Sequence, residues 1–358
     1  MNDATGQNRP ATTASSYRVS VGDIVYDREA VLHLWQGNLG GDDNLDEKYR
    51  WSYSENGLGS PLLLLLRHEP SNECIGVTSV APRQFRVGNQ QVSAGVLMDM
   101  VVDARHRTLY PAMLLQKQAL DHELKRYSFL YGYPNRKAQP VFMRVGYTKL
   151  GDITRFVRIL RTEAILGRFL PALLGRSLCT LLDRVLLLYH RIGGRCPAGW
   201  NMEWQEAPDY RFDQLWERTK TDDCIVGVRD SKFLQWRFVK HPGHRYRFFV
   251  LHAKDSDRLI GYLVCEATER TLCILDFLAE SGDRGLRCLL DGFMNEAYRQ
   301  GYVRVTAEYL GKESVTRALR RAGMVARGGR PVVFRSNHSL QTRISGLKWC
   351  LTSADEDQ

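Results

Sequence analysis

Two stretches of the chain carry the same order of apolar and polar positions. Residues 95–102 (GVLMDMVV) form a continuous apolar run with one acid inside it, the pattern of a central strand covered on both faces. A polar turn follows. Helical periodicity then runs over 109–124, a strand-like segment over 127–133, and a short helical run over 140–147 that Gly146 ends. Residues 272–279 (LCILDFLA) begin the same series again, with a helix at about 284–300, a strand at 303–309 and a short helix at 315–322 before Gly323. Asp276 lies 177 positions after Asp99, Arg284 lies 177 after Arg107, and Gly323 lies 177 after Gly146. Landmarks at one offset predict two copies of one α/β unit.

The match continues upstream with a small slip. Trp51-Ser52-Tyr53 and Trp236-Arg237-Phe238 each end a helical segment, and Pro61 and Pro242 follow them. Strand pairs come next, 62–67 with 75–82 and 246–252 with 259–267. Short turns make such neighbours antiparallel, whereas a strand–helix–strand step is a right-handed parallel crossover. The expected fold is a mixed sheet with helices on both faces.

Composition removes whole classes. At 358 residues, 44% hydrophobic and 25% charged, the chain is neither disordered overall, nor collagenous, nor a polytopic membrane protein. The longest leucine run, 62–66, is far short of a membrane span. Eight cysteines show no CxxC and no histidine at zinc spacing, so no metal is expected, and reduced buried thiols suggest a cytoplasmic chain. Residues 1–16 read as a disordered tail and 337–358 as a C-terminal tail whose acidic end, 353–358, frays.

The net charge of +10 favours an anionic partner and is uneven. Residues 153–199 hold eight arginines, no lysine and two acids, Glu163 and Asp183, or +6. Leu178, Leu181, Val185, Leu188 and Ile192 recur at three and four, an amphipathic helix that Ser177 can cap and Gly193-Gly194 can end, while Pro171 breaks the stretch before it. Such a segment is either a helical pair packed between domains or a peripheral contact with an anionic membrane, at the inner face, or with a protein. The boundaries read as 17–160 for the first unit, 161–199 for the basic connector and 200–336 for the second unit.

The order of elements resembles the GNAT acyltransferase superfamily in a tandem, two-domain form. That resemblance implies acetyl-CoA or another acyl-CoA as donor, an amine or hydroxyl acceptor, and direct attack in a ternary complex. The family's pyrophosphate turn, [QR]-x-x-G-x-[GA], is matched by Arg107, Thr108, Leu109, Tyr110, Pro111 and Ala112, with Tyr110 where the glycine is expected. Proline suits the first helical turn, and helix N-terminal N–H groups attract phosphate. Met100, Val101 and Val102 would offer backbone contacts to the cofactor, and Asn135 matches a position that often touches it. Asp99 would be the general base, its pKa raised by burial; Asp276, at the equivalent place, favours a structural acid at both positions. The tyrosine that commonly protonates the leaving thiolate is replaced by Phe142, leaving Tyr131 or Tyr133 as substitutes.

The second unit departs further. Residues 280–287 lack the turn glycine, Leu319 holds the tyrosine position, and Glu308 is a weak candidate acid/base. It reads as a degenerate copy that shapes the acceptor site or pairs with the first. Two other readings stay open: an aminoacyl transferase of FemAB type using aminoacyl-tRNA, and a non-catalytic scaffold. No RNA-reading module is visible, which makes nucleic acid an unfavoured partner.

Overall fold

The computed structural model describes residues 16–38, 44–162, 181, 196–219, 223–280, 282–337, 340, 344 and 346–356. The strands are β1 (Tyr17–Val21), β2 (Leu62–His68), β3 (Glu73–Val87), β4 (Gln90–Val102), β5 (Phe129–Gly132), β6 (Thr148–Ile159), β7 (Trp200–Gln205), β8 (Cys224–Gly227), β9 (Tyr246–Ala253), β10 (Leu259–Thr268), β11 (Thr271–Ala279), β12 (Arg304–Leu310), β13 (Val325–Ser336) and β14 (Lys348–Thr352). The helices are α1 (Arg28–Asn38), α2 (Leu45–Tyr49), α3 (Leu109–Glu123), α4 (Gln139–Val145), α5 (Tyr210–Arg218), α6 (Ser231–Leu234), α7 (Gly282–Arg299) and α8 (Glu313–Arg321).

These strands share one mixed sheet, ordered β1-β2-β3-β4-β5-β13-β6-β12-β11-β10-β9-β7, with β14 pairing β12 and β8, and β8 pairing β3. The crossovers β4–α3–β5 and β11–α7–β12 join parallel strands, while hairpin neighbours are antiparallel. Gly146 and Gly323 end α4 and α8 at φ of 109° and 80°, a left-handed conformation that costs glycine little. The repeated elements of the two sequence stretches therefore fold alike.

The last strands show where the two units fail to separate. β6 and β13 span 148–159 and 325–336, the same 177-residue offset. Yet β13 pairs β5 of the first unit, while β6 pairs β12 of the second. Between them β6 and β13 run antiparallel, so each unit's final strand completes the other's sheet. A spatial cut after residue 160, as the sequence boundaries imply, would break both sheets. Periodicity identifies a strand but does not name its partner.

Trp51 and Trp236 join the two units a second time. Each lies in a π-helical turn, Arg50–Ser54 after α2 and Gln235–Val239 after α6. Their rings stack at 4.9 Å and 9°, and each indole N–H donates to the other's backbone carbonyl, at 3.0 and 3.3 Å.

The C-terminal end is not a tail. β14 enters the sheet with Leu351 buried, and a short 3-10 turn, Ser353–Asp355, follows with Asp355 buried. The acid expected to fray finds a buried cation, Arg229, far away in sequence, at 2.6 Å. The basic connector is described only at its edges, and its amphipathic stretch, apart from position 181, lies outside the described residues. Part of its charge belongs to the fold. Arg158 is buried and donates to the Ala322 carbonyl (2.6 Å), and Arg161 donates to that of Tyr298 (2.7 Å). No helix among the described residues is long and apolar enough to cross a membrane.

Candidate active site

β4 and β5 run side by side only through Ala94–Val96 and Phe129–Tyr131. At Gly95 an added Cβ would sit 2.6 Å from side chains of both Leu130 and Val80, which holds the strands close. Beyond Val96 they part. β4 is bulged there: Ser79 faces Met98 and Val77 faces Val101, leaving Asp99 and Met100 opposite one residue. Asp99 has φ of 54°, a conformation that aspartate tolerates better than most residues.

The gap is a cavity of about 160 Å³ with Met98, Asp99 and Met100 on one wall and Gly132, Tyr133 and Asn135 on the other. The Tyr53 hydroxyl donates to the Asp99 carboxylate at 3.0 Å and pairs with the Ser79 hydroxyl. Burial raises the Asp99 pKa; the charge of Lys48 and the Tyr53 hydrogen bond oppose it without cancelling it. Tyr133 presents a buried hydroxyl with no hydrogen-bond partner among the described residues, and burial raises its pKa well above that of free tyrosine. A buried donor without an acceptor is costly unless a ligand supplies one.

The two candidate tyrosines thus separate. Tyr131 is fully buried and its hydroxyl donates to the Asp355 carbonyl at 2.8 Å, away from the cavity walls. It holds the C-terminal segment. Tyr131→Phe should cost about 1 kcal/mol of stability and leave turnover within about twofold. Parallel urea unfolding and steady-state rates check this; a large loss of turnover with stability intact would return Tyr131 to the reaction.

At the end of β4, Arg107 folds back, its Nε donating to the Val102 carbonyl (3.2 Å) and its other arm to the Asn38 side chain. It clamps the strand end as much as it faces the turn. Thr108 stands extended at the start of α3, and Leu109 and Tyr110 in its first turn are exposed while Ala112 is buried. The leading N–H groups of that turn have no helical acceptor, at the positive end of the dipole. The Asn135 carboxamide oxygen accepts from the N–H groups of Lys137 and Ala138, so it caps the turn into α4.

The equivalent cleft of the second unit is filled. β11 and β12 pair through Ile274 and Ala307, and a bulge follows near Asp276, as at Asp99. There β14 pairs the far end of β12, and the Thr352 hydroxyl donates to Asp276 at 2.7 Å. Arg229 sits between Asp276 (3.0 Å) and Asp355 (2.6 Å), and all three are buried. Asp276 is therefore a structural acid, as its repetition suggested, and its ion pair has no counterpart at Asp99 among the described residues. Glu308 is likewise committed, to Arg330 at 2.5 Å.

A groove of about 870 Å³ lies beside the cavity and shares Lys48 with it. Both units line it, with Arg155, Arg237, His241, Glu266, Glu308 and Glu356 among its walls. The His241 ring packs on Trp51 at 4.2 Å, and burial, helped by Arg237, lowers its pKa to about 3, so it is neutral there. Sequence reasoning did not place Tyr53, Lys48, Arg229, Arg330 or the C-terminal acids. Only Tyr53 carried a signal, as the last residue of the Trp-x-aromatic motif.

No family model and no curated protein matches the chain. Solved structures do. A conserved protein of unknown function from Enterococcus faecalis, described as a probable N-acyltransferase, is 12% identical over 93% of this chain and 75% of its own, with a TM-score of 0.64. A GCN5-related N-acetyltransferase from Anabaena variabilis is 13% identical over 89% and 72%, with a TM-score of 0.63. Saccharomyces cerevisiae N-myristoyltransferase with bound myristoyl-CoA is 12% identical over 91% and 84%, with a TM-score of 0.51. Together with the bulged, splayed β4–β5 pair, these neighbours show that the chain has the fold of the GNAT acyltransferase superfamily.

Proposed function

We propose that the protein transfers an acyl group from acyl-CoA to an amine or hydroxyl acceptor at the β4–β5 cleft of its first unit. The observation that carries this reading is the bulged, buried Asp99 in a cavity between the parted strands that Tyr133, whose hydroxyl has no partner among the described residues, also lines. A neighbour described as a probable N-acyltransferase and another with bound myristoyl-CoA add to it. The cavity, about 160 Å³, suits an acetyl or similarly short chain.

The edge of β4 that β5 leaves open can receive the amides of a pantetheine arm as it would another strand. Met100 to Val102 supply that edge, and the start of α3 from Thr108 to Ala112 receives the pyrophosphate, with the spare face of Arg107. Tyr110 in place of glycine keeps the phosphate farther from the backbone. The acceptor nitrogen attacks the thioester carbon as Asp99 takes its proton. The C–S bond then breaks, and the departing thiolate takes the Tyr133 hydroxyl proton. Lys48 stands at the mouth where acceptor meets thioester.

Calorimetric titration with acetyl-CoA tests the donor. One site per chain is expected, because the second cleft is filled by the chain itself. No heat at millimolar cofactor would sink the reading and favour the scaffold; two equivalent sites would overturn the assignment of the cleft.

A further inference from the structure

The groove beside the thioester cavity has carboxylates that are already matched. Glu308 and Glu356 both bind Arg330, at 2.5 and 2.8 Å, and Glu266 is hydrogen-bonded to the His244 ring at 2.5 Å. Its cations are differently placed. Arg155 stands on β6 directly across from Glu308 in the β6–β12 register, the position where a cross-strand ion pair would be expected. Glu308 turns to Arg330 instead. The exposed Arg155 guanidinium is left with no ion-pair partner among the described residues, facing a groove that also holds Lys48 and Arg237. Arg237 is fixed in place by its Nε bond to the Ala354 carbonyl and by the Trp51 ring 5.5 Å away.

The groove's carboxylates are already hydrogen-bonded while one guanidinium is uncompensated, and guanidinium binds carboxylate and phosphate through paired hydrogen bonds. We infer that the acceptor carries an anionic group, a carboxylate or a phosphate, beside its reacting amine, and that Arg155 binds that group. This rests on the acyl-transfer reading for the identity of the groove. A polyamine is disfavoured, since its extra charge would meet Arg155.

Two measurements test it. In the first, transfer from acetyl-CoA is compared for amino acids, for glucosamine 6-phosphate and for glucosamine and spermidine, which carry no anion. Turnover confined to one or both anionic sets is expected, and whichever set reacts tells carboxylate from phosphate. Arg155→Gln should raise KM for that set by about tenfold or more with kcat within about twofold, and Arg155→Lys should recover part of it. Equal turnover of glucosamine, or an unchanged KM in R155Q, overturns the inference. The second measurement needs no cofactor. Saturation-transfer NMR with N-acetylglutamate, N-acetylglucosamine 6-phosphate and N-acetylglucosamine should give signal from an anionic probe only, lost in R155Q. Signal from the neutral sugar alone, or persisting in R155Q, also overturns it. If acetyl-CoA fails to bind in calorimetry, the acyl-transfer reading falls while this second measurement still decides the groove.

Discussion

Asp99→Asn is expected to lower the rate of acyl transfer by about 10²-fold or more, with acetyl-CoA affinity unchanged. A positioned general base contributes about 10²–10⁴ to such reactions. Asparagine keeps the shape of the carboxylate, tolerates the positive φ of the bulge, and can still accept from Tyr53. Stability gives the control. The folded-state pKa of Asp99 is raised, so the fold binds this proton more tightly than the unfolded chain does. The carboxyl therefore costs stability as pH rises from its unfolded value through its folded one, and D99N removes that cost. D99N should be at least as stable as the wild type at pH 7. The wild-type rate should fall as pH drops through the raised pKa, and the residual D99N rate should lose that inflection. Tyr133→Phe belongs to the same experiment and should slow turnover without the acidic inflection changing. A D99N enzyme with near-normal kcat would make Asp99 structural, as Asp276 is.

The second large effect concerns that structural acid. Arg229→Ala should destabilise the protein by about 3–5 kcal/mol, because it strands the buried carboxylates of Asp276 and Asp355 without their cation. Urea unfolding followed by circular dichroism reads the change. Replacing all three together, R229L with D276N and D355N, should recover most of the loss, since no charge is then left buried. A loss of about 1 kcal/mol or less in R229A would mean the three groups are hydrated rather than buried. Because the same segment carries Glu356 into the acceptor groove, the single variant should also weaken acceptor use, whereas the neutralised triple variant should regain it.

The local parts of this fold were legible in the sequence. Continuous apolar runs marked β4 and β11, helical spacing marked α3 and α7, and Gly146 and Gly323 marked helix ends, because strand burial, helix period and left-handed backbone each leave a trace within a few residues. The 177-residue offset extended them to a repeat. Asp99 was legible for the same reason, as one acid in an apolar strand. What was not legible depends on distance along the chain. The exchange of β6 and β13 joins strands whose patterns are alike, and nothing in either names the other. Asp355 looked like the end of an acidic tail because its partner, Arg229, is 126 positions away. Tyr131 and Tyr133 are two residues apart and equally plausible on paper. Strand alternation would put both on one face, and their rings do meet at 6.1 Å; what separates them is the partner, since the Tyr131 hydroxyl finds the Asp355 carbonyl and the Tyr133 hydroxyl finds none among the described residues.

The exchanged strands and the paired tryptophans have one further consequence. A contact in which residue i donates to j and j donates to i is the signature of an isologous, two-fold interface. Here it lies within one polypeptide. The chain thus has the contact geometry of a strand-swapped homodimer inside one polypeptide, where the partner of each half is always present. A true homodimer must present the same cleft twice; a single chain need not, and here one cleft is open while the other is closed by the C-terminal strand.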